Sequence, residues 1–175
     1  WSKENVRRIY GKSAVAELSD GRLSEPRLAD PDAPSRVFRW YLEEERDELG
    51  NLIRYEYVSE DRAGAPSTQA EGMRALAGHG CTHTYLKRVS YGNVTPNTWE
   101  DGHYFEVVFD YGDHEEEEDM PPPSEPNADW AVREDIQSNF RSGFDVRCYR
   151  LCQRVLMFHR FDDPTWTIDE DPEED

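Results

Sequence analysis

The residues best equipped for chemistry lie in two short runs. His79-Gly80-Cys81-Thr82-His83 packs three metal-binding side chains into five residues. The run Arg147-Cys148-Tyr149-Arg150-Leu151-Cys152-Gln153-Arg154-Val155-Leu156-Met157-Phe158-His159 sets two cysteines four apart, with a histidine seven residues later. Thiolates and imidazoles are zinc ligands, so Cys81, His83, Cys148 and Cys152 make a candidate tetrahedral site or a thiol centre. The spacing argues against it. The cysteine pair sits in a strand-like run with no Gly or Pro to reverse the chain. In an unbroken strand the two sulfurs lie on one face ~13 Å apart, from a rise of about 3.3 Å per residue, whereas zinc–sulfur bonds are ~2.3 Å. Cysteine as a small buried apolar residue is the favoured reading. As a nucleophile Cys148 has Arg147 and Arg150 nearby to lower its pKa. A base beside the thiol is also required, and adjacent strand residues point to opposite faces.

Carboxylates are abundant, 38 in 175 residues, so their clustering carries little information. Glu43-Glu44-Glu45 and the run from Glu115 to Glu118 lack the alternate ligand spacing and turn glycine of a calcium loop. They read as solvated charge. There is no phosphate-cradling glycine loop, no Gly-x-Ser-x-Gly and no His-Glu-x-x-His. No catalytic, cofactor-binding or metal residue is assigned, no cofactor is expected, and the expectation is a protein that is not an enzyme. The net charge of −18 repels phosphate backbones, which excludes free nucleic acid as a partner. No run approaches the ~20 apolar residues of a membrane helix. Three cysteines do not fit a paired disulfide framework.

The elements that must position these residues are strands. Aromatic residues make up 12% of the chain, which argues against disorder and for sheet. Strand candidates lie near 6–10, 36–46, 51–59, 84–91, 103–111 and 143–161, with loops at 11–34, 60–83 and 112–138. Gly50-Asn51 supplies the positive φ of a tight hairpin between the second and third candidates. Gln69 to Ala77 is a weak helical patch inside a loop. The run from Tyr104 to Tyr111 is apolar at its centre and predicts burial on both faces. Residues 143–161 are too long for one flat strand, and a bulge near Arg150 to Gln153 reconciles the two parities. Lys87, Arg88, Arg147, Arg150, Arg154 and Arg160 place cations within strands between acidic loops, so Arg–carboxylate pairs across strands are expected to fix register. The fold class is mainly β, antiparallel hairpins with long acidic loops.

The ordered blocks "NVRRIYGKSA", "ADPDAPSRVFRWYLEEERDELGNLIRYEY", "YLKRVSYGN", "YFEVVFDYGDH" and "FRSGFDVRCYRLCQRVLMFHRF" resemble the SpvB-type domain. That domain stands at the start of the B component of bacterial insecticidal Tc toxin complexes and of related virulence proteins. Residues 1–175 then read as its later portion, an incomplete piece of a larger Rhs-like β-shell, with both ends as cuts through a longer chain. The resemblance implies a structural, non-enzymatic segment of a secreted toxin that helps enclose and deliver a toxic polypeptide. Its implied partners are the Rhs-repeat C component and the A component, with cytoplasmic assembly before release. In some relatives a separate C-terminal domain is an ADP-ribosyltransferase, and no motif of that enzyme is matched here. "RDELGNLIRYEY" resembles an Rhs-repeat hairpin, and "RCYRLCQRVLMFH" then reads as a wall strand. Two other readings stay open: a small zinc- or thiol-dependent protein built on Cys81, His83, Cys148 and Cys152, and an extracellular carbohydrate-binding β-module using Trp40 and Trp99.

Overall fold

A computed structural model describes residues 5–11, 26–77, 81–116, 118 and 120–160. Strands β1 (Arg7–Tyr10), β4 (Leu42–Arg46), β5 (Leu52–Ser59), β6 (Thr84–Asn93), β7 (His103–Asp110) and β10 (Arg154–His159) form one antiparallel sheet in the order β1-β4-β5-β6-β7-β10. Two small two-stranded sheets pair β2 (Arg27–Asp30) with β3 (Ala33–Trp40), and β8 (Gln137–Asn139) with β9 (Val146–Cys148). One helix, α1 (Gln69–Leu76), is capped by Thr68, whose hydroxyl accepts the Glu71 N–H at 3.3 Å.

The β4–β5 turn is built by its own side chains. The Asp47 carboxylate accepts the Leu49 and Asn51 N–H groups at 2.9 and 2.8 Å and the Asn51 side-chain amide at 2.7 Å. Gly50 sits at φ +85°, and a Cβ there would lie 2.6 Å from the Asn97 amide. Only glycine meets both demands without strain.

Four expected element boundaries are corrected. Residues 36–46 are two strands in different sheets, β3 and β4, divided at Tyr41, whose N–H bonds the Pro26 carbonyl at 2.7 Å. The expected loop at 11–34 contains β2 and the start of β3, joined at Pro31-Asp32, where Asp30 accepts the Asp32 N–H at 2.9 Å. Pro34 is tolerated within β3 because a two-stranded sheet has only edges. The expected loop at 112–138 ends in β8. Residues 143–161 are not one bulged strand: β9 pairs with β8, β10 pairs with β7, and 149–153 between them is irregular. In the two split candidates, 36–46 and 143–161, strand-forming residues stand on both sides of the break. What differs is the partner strand, which local pattern does not encode.

The main sheet buries its charged face. Register places Ile53, Tyr91, Phe105 and His159 in one cross-sheet row, and Tyr55, Val89, Val107 and Met157 in the next. Tyr91 stacks on Phe105 at 5.1 Å, and His159 meets its edge at 5.3 Å. None of these residues is fully buried, and Met157 is 65% exposed. The opposite face carries Arg88, Ser90, Glu106, Val108 and Asp110, all buried under the loop that follows β7. Burial on both faces, expected for β7, is therefore replaced by strict alternation. The buried hydrophobic cluster is small: Val58, Tyr85, Tyr111 and Trp130, with Phe109 and Cys148 against it.

Candidate functional site

The sequence-predicted ligands do not converge. Cys81 and Cys152 are exposed, Cys148 is half-buried, and all three are free thiols. His79 lies outside the described residues. Among the described residues no three His, Cys, Asp or Glu side chains are grouped to hold a metal ion. His83 and Cys148 do line one cleft of about 330 Å³ between the two small sheets, with Arg39 and Tyr41. Burial pushes the His83 imidazole down, and its buried Nδ1 has no hydrogen-bond partner. The Cys148 thiol donates to the Arg150 carbonyl at 3.3 Å. Cys152, out in the irregular link, donates to the Arg154 carbonyl at 3.2 Å, and burial pushes its thiol up. The Cys152 thiol is therefore not poised as a thiolate.

What the fold does assemble is a set of buried ion pairs. At the centre Arg150, 1% exposed, faces Glu60, 3% exposed. Its Nη2 donates to Glu60 Oε1 at 2.7 Å, to Asp61 at 3.1 Å and to the Ala63 carbonyl at 2.9 Å. Nε reaches both Glu60 oxygens at 3.2 and 3.1 Å, and Nη1 donates to the Trp130 carbonyl at 3.0 Å. The guanidinium lies 4.2 Å over the Trp130 ring, and the Trp130 indole donates to Asp61 at 3.0 Å. Tyr85 donates to Glu60 Oε2 at 2.8 Å and accepts the Tyr149 N–H at 3.1 Å. Burial and then the Glu60 charge push the Tyr85 phenol far up, so it stays a donor. The result ties loop 60–63, loop 128–131 and the stretch after β9 to β6.

Two more clusters flank it. Glu71 on α1 receives Arg147 at 2.5 Å and the Tyr149 hydroxyl, with Arg74 at 3.4 Å. Burial alone would raise its pKa, but the Tyr149 and Arg147 bonds hold it below the usual range. Arg74 continues to Asp145 at 3.0 Å. On the other side Lys87 donates to Asp113 at 2.8 and 2.7 Å, to the Phe109 carbonyl at 3.2 Å and to His114 Nε2 at 2.8 Å. An ammonium can only donate, so Nε2 is the acceptor, and the His114 Nδ1–H donates to the Pro123 carbonyl at 2.9 Å. Burial pushes the Lys87 ammonium down against the pull of Asp113. A lysine with lowered pKa invites a nucleophilic reading. Lys87, Asp113 and His114 are each at most 4% exposed, so no reagent reaches them. The Glu71 cluster ties α1 to β9, and the other two pin loops to the main sheet.

The expected cross-strand pairs exist in part. Arg154 meets its register partner Asp110 at 2.7 Å, and Arg88 reaches Glu106 at 2.8 Å. Arg147 and Lys87 instead reach out of their strands to Glu71 and Asp113, and Arg150, in the irregular link after β9, reaches Glu60. The signal in sequence was the cations themselves; their acids, 26 to 90 residues away, could not be chosen from 38 candidates.

The family described as Salmonella virulence plasmid 65kDa B protein matches residues 1–161. The chain belongs to this SpvB family. The mono(ADP-ribosyl)transferase SpvB of Salmonella typhimurium (strain 14028s / SGSC 2262) is 34% identical over 152 residues, covering 82% of this chain and 25% of that protein. The same values hold for SpvB of Salmonella choleraesuis. The chain thus spans about a quarter of the length of these relatives. Among solved structures, the N-terminal domain of effector protein SpvB from Salmonella typhimurium LT2 has a TM-score of 0.76 at 31% identity, covering 92% of this chain and 49% of that one. The TcdB2-TccC3 complex gives 0.74 at 30% identity, covering 90% and 7%. The Photorhabdus luminescens Tc holotoxin pore gives 0.76 at 29%, covering 95% and 8%.

These relatives bear out the resemblance and the mainly-β, antiparallel fold. They also correct one expectation. The sequence reading expects no enzyme, whereas the Salmonella SpvB proteins carry an enzyme's name, mono(ADP-ribosyl)transferase. Motifs missing from a stretch equal to a quarter of those proteins cannot speak for the remainder. No helix among the described residues is long and apolar enough to cross a membrane.

Proposed function

We propose that this chain is a wall segment of a secreted SpvB- or Tc-type toxin, contributing β-structure to the shell that encloses and helps deliver a toxic polypeptide. The observation that carries this reading is the match of its sheet to Tc assemblies at TM-scores of 0.74 and 0.76 with about 30% identity. The buried clamps support it, because a wall needs loops held rigidly to strands more than it needs an open cleft. The partners in this reading are an Rhs-repeat C component and an A component. The transferase activity in the name of the Salmonella relatives comes to the whole protein, and is read by transfer of label from NAD to a protein acceptor. The domain reading, residues 1–175 as a later portion of an SpvB-type domain, belongs to the same proposal.

The test is protease protection of the enclosed polypeptide in the full assembly. Protection is expected with the segment intact, with loss when Arg150→Met opens its central clamp. A cargo equally resistant when this segment is deleted overturns the wall reading.

A further inference from the structure

The main sheet is covered on the wrong side for a finished domain. Its charged face is sealed by loops, while the two apolar rows through Val107 and Phe105 remain half-open to solvent. The opening widens toward edge strand β10, where Val155 is 55% and Met157 65% exposed. Contiguous apolar surface of this kind marks an interface.

Size and charge choose the occupant. Four strands ~4.8 Å apart, over the ~13 Å from Phe105 to Phe109, give a footprint of roughly 200 Å² between outer Cα positions. Doubled for side-chain reach, it is about half of the ~800 Å² per partner that a stable free association buries. A second copy would also bring two chains of net charge −18 together. A tethered segment needs far less area, because its effective concentration is in the millimolar range or above. The solved Salmonella N-terminal domain is about twice as long as the stretch matched to this chain, which covers 49% of it. We infer that the Val107–Met157 face of the main sheet is an interface for a second β-layer supplied by the same polypeptide, by the part of the domain outside the match. The inference concerns how this domain is completed and holds with or without the shell role.

The chain carries its own probe. Its three methionines, Met73, Met120 and Met157, are 62%, 58% and 65% exposed, on α1, on the loop after β7 and on the apolar face. Peroxide oxidation of each is read by mass spectrometry in this chain and in the full reading frame of its gene. Exposure governs the rate, so Met157 is expected to slow about tenfold in the full frame, while Met73 and Met120 change less than about twofold. Equal oxidation of Met157 in both overturns the inference. So does protection that grows with the concentration of the chain alone, which assigns the face to a second copy. If the chain alone gives no cooperative melt, Val155→Lys and Leu49→Lys are compared within the full frame. Val155→Lys is expected to lower Tm and Leu49→Lys, 74% exposed on the hairpin turn, to leave it unchanged; equal effects overturn the inference.

Discussion

Replacing Arg150 with Met should be the most damaging single change that conserves side-chain length. The Arg150 and Glu60 side chains are both 0% exposed. The substitution leaves the Glu60 carboxylate with the Tyr85 hydroxyl and the Arg62 N–H but no cation, and strips the Ala63 and Trp130 carbonyls of the Arg150 donor. Breaking a buried pair from one side costs about 3–5 kcal/mol, because the remaining charge is uncompensated. Loss of the contact with the Trp130 ring adds to this, since such contacts are worth ~2 kcal/mol when desolvated. With a urea m-value of ~2 kcal/mol/M for a domain of this size, the midpoint should fall by about 2 M, a large part of an ordinary stability. Arg150→Lys keeps the charge but loses the planar fork, and should recover less than half of the loss. The double variant Arg150→Met with Glu60→Gln should be more stable than the sum of the single losses, because no bare carboxylate remains. The measurement is urea unfolding followed by Trp fluorescence, with Trp130 reporting beside the site. A midpoint shift below about 0.5 M, or strict additivity in the double variant, would show that the pair contributes no coupling.

Lys87→Met strands the buried Asp113 in the same way and should cost about 3 kcal/mol; because Lys87 also holds His114, limited proteolysis should then cut between 114 and 125, and an unchanged digest would refute the clamp. Glu71 and Asp110 have depressed folded pKa values, so their stabilisation is present above the unfolded values of about 4 and is lost as pH falls through the folded ones. Glu71→Gln should therefore flatten the acid limb of a stability–pH curve below about pH 4.5, besides costing ~2 kcal/mol at pH 7; an unaltered limb would count against the depressed value. Gly50→Ala meets both φ +85° and the Asn97 side chain, and should lower stability by about 1–3 kcal/mol in thermal melts. A neutral result would mean that the turn adapts.

Local sequence determined the parts of this protein that depend on near neighbours. The Asp47–Asn51 turn, the β5–β6–β7 meander and the family membership are carried by residue type and short spacing, since turn chemistry and strand alternation act over a few residues. Arg150, Lys87 and Arg88 were visible as cations that a buried strand would have to neutralise. Tertiary structure alone decided the rest. It split 36–46 between two sheets, placed Cys148 on β9 and Cys152 in the irregular link that follows, and picked Glu60, Glu71 and Asp113 from among 38 acids. It also put Glu106 and Asp110 inside and left Val107 and Met157 outside, against their hydropathy. The physical reason is common to all of these. Alternation says which residues share a face, but which face is covered depends on what is stacked upon it, and an ion pair depends on an approach between residues far apart in the chain.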